Sequence, residues 1–277
     1  MDEHLDVLRK DTSARVIIYC TPFTKETSLT ATVHGTASHL AQDTRLDTYR
    51  LLAASNPNTH VLVVDYRGWG YSSGTPSENG IISDGLTVLD WVLTTAQVDP
   101  SNVLLVSQSL GTGIAMGVAT EYHVVHSDRP LAGIVTIAAF TSLRSLVGAY
   151  RMGGILPLLG PLHCLPNVSD FFVRTFLRAQ FDSGERMKKL VEMTEGTRFS
   201  ITLVHATDDW EIPHIHSRRL FEIACNGNIN IKETIMSNQV LREIEDGRIR
   251  YIESSWGGHN DLQKGDSVLK AVMTAWH

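Results

Sequence analysis

Two rhythms of apolar and polar positions alternate along this chain. Five short runs are rich in β-branched and aliphatic residues: Arg15 to Cys20, Val61 to Tyr66, Val103 to Val106, Gly133 to Ala139 and Ser200 to Ala206. Runs this short and this apolar fit buried strands of a parallel sheet rather than helices. A sixth and more polar run, Arg250 to Ser254, fits a final strand. Between the runs the spacing turns helical, at Asp43 to Ala54, at Asp84 to Thr95 with Leu86, Leu89, Val92 and Leu93 on one face, and at Ser267 to Trp276. Strands that alternate with helices predict the α/β class, with a doubly wound, mostly parallel sheet.

Two stretches break the rhythm. Thr141 to Thr197 holds Gly153-Gly154-Ile155-Leu156-Pro157-Leu158-Leu159-Gly160-Pro161-Leu162, too rich in proline for a strand or long helix, and then amphipathic spacing near Asp170 to Ala179. An insertion between two core strands is where a cap or lid is expected, and the alternative is a surface excursion that only covers the sheet. Thr21 to Val33 is polar and threonine-rich, and it interrupts the passage from an early strand into His34-Gly35-Thr36.

The densest chemical signal lies at Val103 to Gly117. An apolar strand breaks at Ser107-Gln108-Ser109-Leu110-Gly111 and gives way to a stretch rich in Gly and Ala. Strand, tight turn and close-packed helix are the setting that lifts one hydroxyl, here Ser109, out of the sheet edge. The usual Gly-x-Ser-x-Gly pattern has Ser107 in place of its first glycine, which adds a small side chain at the crossing. An ordinary turn that contains serine is the competing reading.

Serine is a weak nucleophile and needs a histidine base, which in turn needs a carboxylate to hold its tautomer. In parallel-sheet hydrolases the three follow strand ends in the order Ser, acid, His. Ser109, Asp209 and His259 supply that order, each after a strand run. Asp209 is preferred over Asp208 because it stands four before Pro213, and Asp208 is expected to cap the turn. His259 is preferred among twelve histidines because Gly257-Gly258 gives its ring room to reach the turn. His163, His205 and His277 read as surface or satisfied core residues. Two backbone N–H groups must face the developing oxyanion. The candidates are Leu110 and Thr36.

Composition narrows the classes. The 277 residues suit one α/β domain, and 43% of them are hydrophobic. A net charge of −6 leaves no basic footprint for nucleic acid. The three cysteines, Cys20, Cys164 and Cys225, fit no disulfide or metal pattern. His214-Ile215-His216 lacks the further ligands that a metal site needs. Gly68-Trp69-Gly70 with Gly74 has the wrong spacing for a dinucleotide loop, so no cofactor is expected. The start, Met-Asp-Glu-His-Leu-Asp, carries no signal peptide, and no stretch of about twenty apolar residues suggests a membrane span. The sequon Asn167-Val168-Ser169 is therefore read as accidental.

Several motifs together resemble the ABHD12-like branch of the α/β-hydrolases. They are Asp65-Tyr66-Arg67-Gly68-Trp69-Gly70-Tyr71-Ser72-Ser73-Gly74-Thr75-Pro76-Ser77-Glu78 with Gly80, Ser107 to Gly113, His205-Ala206 with Asp208-Asp209, and Gly258-His259-Asn260-Asp261. The resemblance runs from about Arg15 to the C-terminus. It implies an α/β-hydrolase fold with a cap, and a Ser109-Asp209-His259 ester hydrolase of lipid-like substrates such as monoacylglycerols or lysophospholipids. It also implies a cytoplasmic location or a peripheral one on an intracellular membrane such as the endoplasmic reticulum. The Gly153 to Leu162 stretch could meet a bilayer surface or be a buried cap-to-core contact.

The thirteen residues Thr21 to Val33 depart from this pattern, because relatives run almost directly from the early strand into His-Gly. They are a true insertion or a retained intron, and they lie beside the Thr36 loop. The alternative to an active lipid esterase is therefore a catalytically impaired binding or interaction protein of the same fold. A thioesterase or peptidase would use the same three residues.

Overall fold

A computed structural model describes residues 2–20, 43–149, 151–152, 156–157, 180–225, 227 and 230–276. The Thr21 to Val33 stretch, the His34-Gly35-Thr36 loop, residues 150, 153–155 and 158–179 of the cap stretch and the Asn167 sequon lie outside these residues.

The core is an eight-stranded sheet. Its strands are β1 (Arg15–Cys20), β2 (Thr59–Val63), β3 (Val103–Gln108), β4 (Gly133–Ile137), β7 (Ser200–Ala206), β8 (Ile231–Ile235), β9 (Gln239–Ile244) and β10 (Ile249–Ser254). Two-residue strands β5 (Arg151–Met152) and β6 (Leu156–Pro157) form a separate antiparallel pair. The order across the large sheet is β2-β1-β3-β4-β7-β10-β9-β8. Six strands run parallel from β2 to β10, and β9 and β8 add an antiparallel hairpin.

The central strands are legible as apolar runs because both of their faces are covered. All residues of β3, β4 and β7 are buried. Along β1, Val16, Ile18 and Cys20 enter the core on one face, while Ile17 and Tyr19 enter the core on the other. The first face is covered by α3 (Glu78–Asp90), α4 (Leu110–Val125), α6 (Ser183–Met193) and α7 (Ile215–Cys225). The second is covered by α2 (Asp43–Ala53) and α8 (Asp266–Thr274). Two further helices are α1 (Asp2–Lys10) and α5 (Leu143–Ala149). Helix α6 falls inside the stretch expected to form the cap, yet it packs on α4 as part of the core layer. Arg186 of α6 donates to the Gly113 carbonyl at 3.3 Å and pairs with Glu78 at 2.8 Å.

Small residues set the approach of these helices. A Cβ at Gly117 would stand 2.6 Å from the Ile82 side chain, and one at Gly85 would stand 2.5 Å from Val118. At Gly133, which opens β4, an added Cβ would meet the Ser200 carbonyl oxygen at 2.4 Å. Backbone cannot swing aside as a side chain can. Gly133→Ala is therefore expected to destabilise the fold by about 1–3 kcal/mol, the usual range for overpacking. A urea titration should show a lower midpoint at unchanged slope.

The topology fixes where a site can lie. The chain enters at β1, moves outward to β2, and crosses back over β1 to β3. Open α/β sheets bind ligands outside the carboxyl ends of the strands beside such a reversal. Residues Tyr19, Val106, Val135, Thr202 and Arg250 stand in one row across five parallel strands. Strands in this register end at one edge, so Ser109, Asp209 and His259 all leave the sheet on the same side.

Candidate active site

Ser109 follows the last residue of β3 and precedes the first of α4. Its backbone has φ 55° and ψ −129°, which side chains other than glycine rarely adopt. Such a conformation costs on the order of 1–3 kcal/mol and persists only where neighbours hold it. The Ser109 N–H donates to the Ile137 carbonyl at 3.0 Å. The Ser109 carbonyl accepts the Thr112 N–H at 2.9 Å and the Thr112 hydroxyl at 2.7 Å. The Leu110 N–H is the first donor of α4, where helix donors lack intrahelical partners and the dipole favours negative charge. Ser107, buried at the crossing, donates its hydroxyl to the Val135 carbonyl at 3.3 Å. Its extra atoms are thus accommodated by the neighbouring strand.

Asp209 and His259 meet directly. His259 Nδ1 lies 2.9 Å from Asp209 Oδ2. Asp209 Oδ1 accepts the backbone N–H groups of Glu211 and Ile212, each at 2.9 Å. One carboxylate oxygen is thereby held by the turn and the other faces the ring. Burial pushes the Asp209 carboxyl up, but hydrogen bonds and charge from His205 and His259 outweigh it, so its pKa falls well below the usual carboxylate range. Burial pushes the His259 ring down, but its bond to Asp209 and the charges of Asp209 and Glu211 prevail, so its pKa rises. Asp208 takes a different part. Its carboxylate accepts the Gly258 N–H at 2.8 Å and the Gly257 N–H at 3.3 Å, which clamps the loop that carries His259. Gly257 and Gly258 have φ of 126° and 51°, so this loop is built for glycine.

The serine is brought to the same edge, but the Ser109 hydroxyl has no hydrogen bond to the His259 ring among the described residues. His259 Nε2 instead stands 3.9 Å from Glu211 Oε2. Catalytic hydrogen bonds in unliganded sites are often long and tighten only with substrate. Thr36 lies outside the described residues.

Further residues lie at the site or in the core behind it. His205 is fully buried, with Nδ1 2.7 Å from the Ser217 hydroxyl and Nε2 2.9 Å from the Ile212 carbonyl. It is a satisfied core residue, yet its Nε2 also lies 3.4 Å from Asp209 Oδ2. Gln108 donates Nε2 to the His259 carbonyl at 2.7 Å. Only its place before Ser109 could have pointed to it. Trp210 and Trp256 flank His259 with side chains 75% and 58% exposed, which makes the outer rim aromatic. His216 bonds to the Thr141 hydroxyl at 3.1 Å and is pushed down to about 4 by burial and by the charges of His205 and Arg219. Cys20 and Cys225 are buried free thiols, each raised to about 11 chiefly by burial.

Residues 32–222 match the alpha/beta hydrolase family. The chain is 32% identical over 201 residues to Protein ABHD12B of Homo sapiens, covering 72% of this chain and 50% of that protein. It is 30% identical over 194 residues to Lysophosphatidylserine lipase ABHD12 of Bos taurus, covering 69% of this chain and 44% of that protein. The chain thus spans about half the length of these curated relatives. Among solved structures, an alpha-beta hydrolase from Vibrio vulnificus superposes with a TM-score of 0.61 at 15% identity, over 95% of this chain and 74% of that one. The Pyrococcus furiosus esterase Pf2001 superposes with a TM-score of 0.56 at 12% identity, over 95% of this chain and 80% of that one. At such identities the superpositions speak for the fold alone. By its strand order, its strained serine turn and its match over most of its length, the chain belongs to the α/β hydrolase family.

Proposed function

We propose that this chain is a serine hydrolase of carboxylic esters, with lipid-like esters as substrates. The observation that carries the reading is the buried 2.9 Å contact of His259 with Asp209 at the strand edge where Ser109 stands at positive φ. In this reading His259 Nε2 takes the Ser109 proton as Oγ attacks the ester carbonyl. The Leu110 N–H, with that of Thr36, receives the oxyanion. The carbonyl re-forms, the alkoxide leaves with the proton carried by His259, and an acyl-Ser109 ester remains. Water, deprotonated by the same ring, then releases the acid. Asp209 holds Nδ1–H throughout and stabilises the imidazolium.

Lipid-like substrates are supported by the relatives named as lysophosphatidylserine lipases. Among the described residues no helix is long and apolar enough to cross a membrane. A peripheral contact through the cap is the arrangement proposed for access to lipid. The purified chain is expected to hydrolyse monoacylglycerol and lysophospholipid esters in a panel read by fatty-acid release, with short water-soluble esters turned over more slowly. Equal rates on short and long acyl chains would remove the lipid assignment.

A second reading is motivated by the polar Thr21 to Val33 stretch beside the oxyanion loop: a binding protein of the same fold with weak or no catalysis. A version without residues 21–33 separates the two. Turnover that appears only after the deletion would mean that the stretch disables the oxyanion loop. Turnover in the full chain would retire the second reading.

A further inference from the structure

We infer that Gln108, Tyr19 and Gln263 form a buried positioning relay that fixes the histidine loop against the serine turn. Tyr19 closes β1 one residue before its end, Gln108 closes β3 directly before Ser109, and Gln263 follows the histidine loop. All three are at least nine-tenths buried. Gln108 Nε2 donates to the His259 carbonyl at 2.7 Å, and Gln263 Nε2 donates to the Asn260 carbonyl at 3.1 Å. The Tyr19 hydroxyl lies 3.3 Å from Oε1 of each glutamine. A phenol has one proton, so that proton is shared between two carbonyl oxygens while both amide nitrogens stay committed to the loop. The Tyr19 ring is itself braced edge-on by Tyr49, with centroids 5.5 Å apart.

The bonds fall where a catalytic histidine most needs support. Asp208 holds the N–H groups of Gly257 and Gly258, and the two glutamines hold the carbonyls of His259 and Asn260. Four successive residues of a glycine-rich loop are thus tied down by side chains from three other places in the chain. The links join residues 89, 151 and 244 positions apart in sequence. They are buried polar groups, and removing one partner leaves the others unsatisfied, which is costly in a low-dielectric interior. The relay also connects the end of β1 to the histidine loop, so the strand that leads toward Thr36 and the loop that carries the base share one anchor.

This inference rests on Ser109 and His259 acting as nucleophile and base. Gln108→Met keeps the length and apolar stem but removes the donor. In the full chain it is expected to slow fluorophosphonate labelling of Ser109 by about tenfold to a hundredfold, the scale of a displacement near 1 Å. The His259 ring, followed by NMR through its own titration, is expected to move toward the ordinary histidine value as its hold on Asp209 loosens. Tyr19→Phe, which leaves the Gln108–His259 bond in place, is expected to give a smaller change in both readouts. The double variant should lose less than the sum of the two single losses, because both act through the Tyr19–Gln108 link. Labelling at the parent rate with an unchanged His259 titration in Gln108→Met would overturn the relay. If that variant fails to fold, an unchanged titration in Tyr19→Phe does the same. If the parent chain itself does not label, the catalytic reading fails, and the ring titration still decides whether the relay positions His259.

Discussion

Ser109→Ala is expected to abolish fluorophosphonate labelling and to lower ester turnover on the order of 10⁶-fold, the cost of removing the nucleophile from a serine hydrolase that works as a unit. The substitution removes one oxygen and leaves the backbone demands as they were. Alanine at φ 55° bears the same strain as serine there, and the bonds that hold the turn come from the backbone of residue 109 and the Thr112 hydroxyl. Circular dichroism and thermal unfolding should therefore match the parent. The combination separates chemistry from folding: labelling that persists in Ser109→Ala would move the nucleophile elsewhere and sink the proposed mechanism. Silence of both parent and variant, in folded protein, would favour the binding protein.

The second large effect is expected from Asp209→Asn, at about 10⁴-fold in turnover by analogy with other hydrolases of this type. The geometry says why a near-isosteric change should cost so much. Asp209 Oδ1 accepts two backbone N–H groups, at Glu211 and Ile212. In the asparagine variant the amide oxygen must stay with those donors, which turns the NH₂ toward His259 Nδ1. Nδ1 then becomes an acceptor, the proton sits on Nε2, and the ring cannot take the serine proton. The pH profile should report the same change. In the parent, Asp209 and Glu211 raise the His259 pKa. The acid limb of turnover is therefore expected above the ordinary histidine value of about 6.5. Without the Asp209 charge that limb moves to lower pH. Stability follows with a definite sign. The raised histidine contributes stability that is present below its unfolded pKa and is lost as pH rises through the folded one. The depressed carboxylate contributes stability above its unfolded pKa that is lost as pH falls through the folded one. Thermal midpoints of Asp209→Asn against pH should show both slopes reduced. Unchanged turnover, or a profile with its acid limb in place, would remove Asp209 from the proposed mechanism.

How far the sequence could be read depended on burial. The strands β1, β3, β4, β7 and β10 stood out because strands of a parallel sheet have most of both faces covered, so their side chains are apolar with little regard to alternation. The β8–β9 hairpin did not stand out. All of β8 is exposed, and its Lys232 and Glu233 pair with Glu243 and Arg242 across the ladder, a pattern that reads as a polar loop. The second strand ends at Val63 rather than Tyr66 because Asp65 belongs to the loop beyond. Ser72 donates its hydroxyl to the Asp65 carbonyl at 2.6 Å, and the Tyr71 N–H reaches the Asp65 carboxylate at 3.2 Å. Helix α3 begins at Glu78, six residues before the expected start, because Ser77 caps it through the Gly80 N–H and two glycines dilute its period.

The candidate site divides in the same way. Ser109, Asp209 and His259 could be named from strand ends and chain order, and the contact of the last two is a matter of a few ångströms beyond that. The separate task of Asp208 follows from the turn, where one carboxylate faces the ring and its neighbour faces the loop backbone. No part could be assigned to Gln108, Tyr19 and Gln263, because each acts through partners far away in sequence or through a carbonyl that any residue could present; His205 was legible as a satisfied core residue, but its approach to Asp209 was not.

The order of the three strand ends along the chain has a consequence for how the protein comes into being. Residues emerge from the ribosome from the N-terminus onward, and domains condense as their segments become available. The strained turn at Ser109 and the carboxylate at Asp209 are made well before the base. The histidine loop follows β10, the last strand in chain order among the described residues, which docks between β7 and β9. A growing chain therefore carries a serine turn with no base through most of its synthesis. In the proposed mechanism the base joins Ser109 and Asp209 only when that strand docks.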